Sequence, residues 1–232
     1  MISYFFSFIF SYVQAYGFCI ACSIICSFLL LCSLERKYGV FWFSCNDCAL
    51  LFQSIYISGL IGSRLLYVLY DDPLPFVLWW RVYDGGLSVF GAILGAIIPF
   101  LYYAYGKHIT YFSLFTVFPI FSLLVHAGGR LGCFFAGCCD GVLWCMSISL
   151  VSCVWFLLVF FMGLWRILSM IGRNKQSYEG IYLYCIAIGF ERGIMDFARS
   201  DHIFCSFHQL LGLFFLLIGI MGYIRYTMIN YN

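Results

Sequence analysis

Long apolar segments constrain this chain more than any other feature of its sequence. Charged residues and glycine or proline clusters separate about seven apolar runs, most of them near the roughly 20 residues that a helix needs to cross a bilayer. The runs are Gln14–Leu34, Cys48–Leu69, Gly86–Tyr105, Tyr111–His126, Gly141–Leu168, Gly180–Phe197 and Cys205–Ile224. Because they are continuous rather than alternating, they predict helices and not the strands of a membrane β-barrel. We expect an all-α integral membrane protein with about seven transmembrane helices.

The composition excludes a water-soluble globular domain. Only 9% of the residues are charged and 64% are hydrophobic, whereas soluble domains have about 25% charged and about 45–50% apolar residues. An aromatic content of 22% also excludes a disordered chain. The net charge of +2 is too small for a nucleic-acid-binding protein. Residues 1–232 are therefore predicted to form a single polytopic membrane domain.

The basic residues fall into two groups when the ends of the runs are assigned alternately to the two sides of the membrane. The first group contains every lysine of the chain: Arg36, Lys37, Lys107, Arg166, Arg173, Lys175 and Arg225. The second group contains only arginines: Arg64, Arg81, Arg130, Arg192 and Arg199. Lysine and arginine are enriched on the cytoplasmic side of membrane proteins. The side with the lysines is therefore predicted to be cytoplasmic, with the N-terminus outside and the C-terminus inside.

Two sequence stretches on the predicted outer side have more than one interpretation. Arg64 lies inside the second apolar run, where an arginine either extends to the membrane surface or holds an anionic group. It could also pair with one of three nearby carboxylates: Asp71, Asp72 or Asp84. Gly85 and Gly86 precede the third run, and the free N–H groups at such a helix start suit an anion. The same stretch also fits a plain turn followed by close helix packing through Gly91 and Gly95.

The segment Gly128–Gly141 is the strongest local signal for an anion-binding site. It contains five glycines, which predict an irregular backbone that lies inside the protein or lines a cavity. Arg130 lies among them, and its planar guanidinium matches the geometry of a phosphate. The alternative is that Arg130 only anchors a loop through hydrogen bonds to carbonyl groups. Cys133, Cys138 and Cys139 in this segment fit either plain packing or a disulfide.

A fourth stretch concentrates charge in an apolar context. Arg192 and Asp196 are four residues apart, and Asp196 and Arg199 are three apart, so a helix would place them in one polar stripe. Such a stripe is either an internal ladder of ion pairs or the wall of a polar cavity. Three polar residues follow on the same predicted side: His202, His208 and Gln209.

Taken in order, these stretches resemble the prolipoprotein diacylglyceryl transferases, which are multi-span enzymes that attach diacylglycerol to the lipobox cysteine of bacterial prelipoproteins. The resemblance extends from Tyr16 to the last apolar run. It rests on Tyr16-Gly17, the G-x-R-x-x-Y-V-L run at Gly62–Leu69, the G-G-x-S-x-x-G run at Gly85–Gly91, the G-R-x-G-x-F run at Gly129–Phe134 with Gly141 beyond it, the R-x-x-x-D-F-x-R run at Arg192–Arg199, and Gln209.

The resemblance implies a reaction and a set of site residues. In this family a thiol displaces glycerol 1-phosphate from phosphatidylglycerol at the outer face of the cytoplasmic membrane, without a cofactor or a metal. The implied catalytic residues are Arg130, Arg192 and Tyr16. The implied substrate-binding residues are Arg130, Arg64, Gly85, Gly86, Ser88, Gly141, Asp196, Arg199 and Gln209. The implied partners are phosphatidylglycerol, a prelipoprotein lipobox peptide and the lipid bilayer, with no nucleic acid.

This sequence departs from the family pattern at four positions. Phe90 replaces the usual histidine of the G-G-x-S-x-H-G motif, and a phenyl ring can neither accept a proton nor donate a hydrogen bond. Cys133, Ala136 and Cys138 replace two asparagines and an acidic residue. Other histidines are available as titratable substitutes: His126, His202 and His208.

These departures leave two alternative functions open. One is a non-catalytic paralogue that binds lipids or lipoproteins. The other is a different transferase that uses an outer-leaflet phospholipid as donor, with Cys138 or Cys139 as the nucleophile. A thiol near an arginine has a lowered pKa and is more reactive.

Overall fold

The computed structural model describes residues 15–39, 45–71, 79, 87–106, 113–137, 141–143, 146–172, 178–198 and 207–231. Within these ranges the chain forms seven helices: α1 (Ala15–Tyr38), α2 (Cys45–Leu66), α3 (Val89–Gly106), α4 (Phe118–Ala136), α5 (Ile148–Gly172), α6 (Glu179–Gly193) and α7 (Phe207–Tyr231). Wider π-helical turns at Tyr67–Asp71 and Ser113–Val117 follow α2 and precede α4, and a 3-10 turn at Met195–Ala198 follows α6. A short antiparallel pair joins β1 (Val142–Leu143) to β2 (Met146–Ser147), with Val142 opposite Ser147.

The helix lengths confirm the predicted class of helical membrane protein. Of the described helices, all but α6 are long and apolar enough to cross a membrane, which makes six candidate spans. The predicted count of seven is not confirmed, because the run Gly180–Phe197 forms the 15-residue helix α6 and the 3-10 turn after it. Several predicted boundaries also differ, and the last helix continues seven residues beyond Ile224 to Tyr231. The fifth run opens with the strand pair before α5 begins at Ile148, and α4 continues ten residues beyond His126 to Ala136.

The chain divides into two compact units, and helix α1 contributes to both. The first unit comprises residues 1–17 and 28–110, and the second comprises residues 18–27 and 111–232. In the first unit, α2 and α3 approach each other through small residues. A Cβ added to Gly91 would overlap the carbonyl of Gly62, and one added to Gly95 would overlap the carbonyl of Ser58. The close helix packing predicted for Gly91 and Gly95 is therefore confirmed.

Helix α4 is the most buried of the candidate spans and lies in the second unit. Phe121 on α4 packs edge-on against Phe160 of α5, with ring centroids 5.7 Å apart. The backbone of α4 also meets α1, because Ser27 Oγ donates a hydrogen bond to the carbonyl of Phe121 at 3.1 Å. Trp155 Nε1 on α5 donates to the carbonyl of Ala187 on α6 at 3.0 Å. These contacts assemble α4, α5 and α6 around one interior.

Helix α7 packs on α6 along a seam of glycines. A Cβ on Gly189 would meet the backbone of Leu216, and a Cβ on Gly212 would meet the backbone of Gly193. Because these neighbours are main-chain atoms, the two helices are held at a distance that only glycine permits at these positions. The seam fixes the end of α6, where the charged residues of the fourth stretch lie.

Candidate active site

Arg130 is carried by a regular part of α4. Gly128 and Gly132 lie inside the helix, which ends at Ala136 and is followed by Gly137 in the left-handed conformation with φ 62°. The irregular backbone predicted around Arg130 is therefore wrong for residues 128–136. Gly128 instead allows a close approach of α1, since a Cβ there would overlap the side chain of Ser23. The glycine content of this segment reflects helix packing rather than a broken helix.

Among the residues that the structure describes, four charged side chains form a ring of ion pairs in the second unit. Arg130 Nη2 donates a hydrogen bond to Glu191 Oε1 and lies 3.8 Å from Asp196 Oδ1. Arg192 Nη1 donates to Asp196 Oδ2 at 3.4 Å, and Arg192 Nε lies 3.1 Å from Glu191 Oε2. Each arginine therefore contacts both carboxylates. The formal charges of the ring cancel.

The ring is largely withdrawn from solvent. The side chains of Arg130, Asp196 and Glu191 are 9%, 10% and 2% exposed, whereas that of Arg192 is 22% exposed. Charges at such depth are retained only when they are paired, and in membrane proteins they mark functional sites by default. An outside group can therefore reach the ring most readily at Arg192.

The end of α6 explains how three members of the ring come together. Glu191 and Arg192 occupy the last turn of the helix, which ends at Gly193. The chain then enters the 3-10 turn that contains Asp196 and returns this carboxylate to Arg192. Arg192 and Asp196 thus form the ion pair that was one of the two interpretations of this stretch. They do not lie on one continuous helix as expected, because α6 ends at Gly193. Arg130, from α4, binds carboxylates here, a contact that neither of its sequence interpretations anticipated.

A histidine lies one helical turn before Arg130 on α4. The Nε2 atom of His126 is 3.1 Å from the hydroxyl of Tyr184 on α6, and its ring stacks on Phe156 at a centroid distance of 5.5 Å. Of the other two histidines considered as substitutes for the missing one, His208 is half-buried at the start of α7. His202 lies outside the described residues.

Four residues singled out in the sequence belong to the first unit. Arg64 is buried, and its Nε donates to the carbonyl of Trp79 at 3.1 Å, so it does not extend to the surface. Ser88 is buried, and its N–H donates to the carbonyl of Ser63 at 3.1 Å. Phe90 is buried at 2% exposure, and Tyr16 is half-buried on α1. All four lie in the first unit, whereas the residues of the ring of charges lie in the second.

The remaining predicted site residues divide by whether the structure describes them. The carbonyl of Gly141 accepts a hydrogen bond from the N–H of Ile148 at 3.0 Å, and Gln209 is fully buried near the start of α7. Within the described part of the chain, Cys133 forms no disulfide. Five residues of interest lie outside the described residues: Gly85, Gly86, Arg199, Cys138 and Cys139.

Sequence reasoning missed Glu191 as a site residue, although it lies next to Arg192. The available signal was the cost of a carboxylate within an apolar run, which demands a cationic partner. Spacing along one helix could not identify that partner, because Arg130 lies 61 residues away on α4. Tyr184, which contacts His126, was missed for the same reason.

Comparison with known proteins identifies the family. The family model of the prolipoprotein diacylglyceryl transferases matches residues 3–225 of the chain. This chain belongs to that family. A phosphatidylglycerol–prolipoprotein diacylglyceryl transferase of Clostridium tetani is 27% identical over 90% of this chain and 91% of its own length. A second enzyme of that name, from Clostridium perfringens, is 26% identical over 91% of this chain and 90% of its own length. A third enzyme of that name, from Thermotoga maritima, is 28% identical over 72% of this chain and 66% of its own length.

Proposed function

We propose that this protein transfers the diacylglyceryl group of phosphatidylglycerol to the lipobox cysteine thiol of a prelipoprotein and releases glycerol 1-phosphate. The observation that carries the proposal is the buried ring with Arg130 and Arg192 in a chain whose family match spans residues 3–225. Two guanidinium groups from different helices, α4 and α6, converge on one point. This arrangement suits a phosphate group, which accepts bidentate hydrogen bonds from arginine.

The proposed reaction needs the protein to neutralise the charge of the leaving phosphate, and it needs no covalent bond between the protein and the lipid. The thiolate sulfur attacks the glyceryl carbon that bears the phosphate, a C–S bond forms, and the C–O bond to phosphate breaks. The electron pair of that bond leaves with glycerol 1-phosphate, and the thiol proton passes to a base or to water. Negative charge therefore grows on the leaving phosphate, where Arg130 and Arg192 would stabilise it. Asp196 would orient Arg192, Arg199 would contribute to the same cavity, and Tyr16 would line it.

The remaining proposed site residues would surround the lipid headgroup and the acceptor peptide. They are Arg64, Gly85, Gly86, Ser88, Gly141 and Gln209. The donor is held in the bilayer, so phosphatidylglycerol, the prelipoprotein and the membrane are the proposed partners. Residues 1–232 would then act as one multi-pass domain of the cytoplasmic membrane.

A transfer assay tests this function against the two alternatives. Purified protein in detergent is incubated with phosphatidylglycerol labelled in its acyl chains and with a lipobox peptide. Label on the peptide supports diacylglyceryl transfer. Label on the protein itself supports a covalent intermediate at Cys138 or Cys139. Binding of the labelled lipid without any transfer supports the non-catalytic paralogue.

The site is proposed to face the outer leaflet, with the N-terminus outside. This orientation rests on the placement of every lysine on the opposite side of the predicted topology. In intact cells, a membrane-impermeant thiol reagent is expected to label an engineered cysteine at Asp71 but not one at Lys37. The parent chain, which contains 13 cysteines, supplies the background. Labelling at Lys37 alone would reverse the orientation and the location of the site.

The absence of a histidine at position 90 predicts an unusual pH dependence. Without a base at that position, the reaction depends on the fraction of acceptor thiol that is already ionised. This fraction rises about tenfold per pH unit below the ordinary thiol pKa of about 8.5. We expect kcat/KM to rise steadily from pH 6.5 to 8.5 and then to level off.

Two variants test the source of this pH dependence. Phe90→His is expected to raise the rate at pH 7, because a well-placed base contributes about 100-fold to 10,000-fold. If Phe90→His is inert and His126→Gln abolishes turnover, the proton is removed at His126 and ionisation in water is not the route. A wild-type rate that is flat between pH 6.5 and 8.5 would also contradict the expectation.

A further inference from the structure

The ring of charges contains its own anion at the place where a phosphate would bind. Glu191 is 2% exposed, and its two carboxylate oxygens lie against different arginines, Oε1 against Arg130 and Oε2 against Arg192. A carboxylate and a phosphate present the same kind of two-oxygen edge to a guanidinium group. The position that bridges both arginines is therefore already occupied in the structure.

We propose that Glu191 is an internal competitor for the phosphate of the lipid headgroup and thereby sets the affinity of the site for it. The carboxylate holds Arg130 and Arg192 together while the headgroup is absent and releases at least one of them when the phosphate binds. This inference rests on the proposed function for the identity of the ligand. It assigns to Glu191 a role in specificity, since only a group that binds both arginines better than a carboxylate can replace it.

The charge balance of the ring supports this role. Within the described residues, the charges of Arg130, Arg192, Glu191 and Asp196 sum to zero. A phosphodiester monoanion that entered the intact ring would therefore add a negative charge that these four side chains do not balance. Such a charge is costly unless a like charge moves away. Displacing the carboxylate from one arginine restores a cationic partner for the phosphate.

The contacts point to Glu191 rather than Asp196 as the competing group. Glu191 lies closer than Asp196 to both arginines. Glu191 accepts a hydrogen bond from Arg130 Nη2, which is 3.8 Å from Asp196 Oδ1. Asp196 accepts its hydrogen bond from Arg192 Nη1 at 3.4 Å. Arg192 Nε lies 3.1 Å from Glu191 Oε2, yet among the described residues this buried atom has no hydrogen-bond acceptor. The Nε–H of Arg192 therefore keeps donor capacity that a phosphate oxygen can use.

Glu191→Gln tests the proposal because it keeps the shape of the side chain and removes its charge. Binding of glycerol 1-phosphate, which carries the phosphate of the headgroup, is measured by isothermal titration calorimetry on the full chain in an uncharged detergent. We expect the Kd to fall at least fivefold, and the KM for phosphatidylglycerol to fall with it, because the ring gains a net positive charge. A Kd that is unchanged or raised in a folded Glu191→Gln protein overturns the proposal, since Glu191 then only positions Arg130.

Two further variants keep the test decisive. Glu179→Gln is a matched control, because Glu179 is also buried, lies on α6 and pairs with Arg166 at 3.3 Å. It is twelve residues from Glu191, about 18 Å along the helix, so it is expected to lower thermal stability without changing the Kd. Glu191→Asp keeps the charge but is too short to bridge both arginines. It is expected to bind glycerol 1-phosphate about twofold tighter than wild type, and weaker binding contradicts the proposal even if Glu191→Gln does not fold.

The binding readout separates this proposal from the proposed function. If the chain transfers no lipid but binds glycerol 1-phosphate more tightly after Glu191→Gln, the role of Glu191 as a competitor is supported and the transferase function is contradicted. If the chain transfers lipid and the Kd for glycerol 1-phosphate is unchanged in Glu191→Gln, the transferase function is supported and the role of Glu191 as a competitor is contradicted.

Discussion

Replacing Arg130 by lysine is expected to lower kcat/KM for phosphatidylglycerol by about 30-fold to 1000-fold, which corresponds to about 2–4 kcal/mol of lost transition-state stabilisation. Lysine keeps the positive charge but offers one ammonium group in place of a planar fork. In the structure one nitrogen of this fork, Nη2, lies against two carboxylates, Glu191 and Asp196. A phosphate at this point is expected to bind the fork through two nitrogens. Initial rates of lipid transfer to a lipobox peptide measure the effect.

A matched variant separates catalysis from folding. Arg166 is another arginine of the second unit that pairs with a buried carboxylate, since its Nε pairs with Glu179. Its Nη2 donates a hydrogen bond to the hydroxyl of Tyr223 at 2.7 Å. Arg166→Lys is expected to lower thermal stability while kcat/KM stays within about threefold of wild type. If Arg130→Lys is equally active, Arg130 has a structural role and the phosphate is held elsewhere.

Replacing Gly91 by alanine is expected to destabilise the first unit by about 1–3 kcal/mol, the usual cost of an extra group in a tightly packed interior. The added Cβ would overlap the carbonyl of Gly62 and lie 2.7 Å from the Cβ of Leu66. Main-chain atoms cannot move aside as the end of a flexible side chain can, so α2 and α3 would have to separate. Thermal unfolding in detergent is expected to show a melting temperature lowered by several degrees.

Gly106 on the same helix provides the control for Gly91. A Cβ at Gly106 would meet nothing within 4 Å, so Gly106→Ala removes the conformational freedom of a glycine without a clash. This variant is expected to be neutral or slightly stabilising, by less than about 1 kcal/mol. Equal melting temperatures for Gly91→Ala and Gly106→Ala would contradict the close packing of α2 on α3.

The class and the family of this protein could be predicted from its sequence because both depend on local signals. Apolar runs about as long as a bilayer is thick predict spanning helices wherever they occur in the chain. Motifs such as G-R-x-G-x-F at Gly129–Phe134 keep their order and spacing whatever the tertiary structure is. Arg130, Arg192 and Asp196 were identified for the same reason, since each is a charge in an apolar context.

Backbone conformation was predicted less well where glycines had two possible uses. Five glycines in Gly128–Gly141 predicted an irregular segment, yet α4 is regular through Gly128 and Gly132 and ends only at Ala136. A glycine permits both a broken helix and a close helix contact. Which of the two occurs depends on whether another helix lies against it, and at Gly128 the neighbour is α1.

The sequence by itself determined that the chain is a helical membrane protein of this family and that a few arginines lie in apolar segments where a charge needs a partner. Only the tertiary structure decided what those arginines contact. The pairing of Arg130 with Glu191 joins α4 to the last turn of α6 across 61 residues of chain. Pairing between distant residues depends on how helices pack, which no local pattern specifies. Once the helices are packed, electrostatics favours this ion pair, because a buried charge is stable only beside an opposite charge.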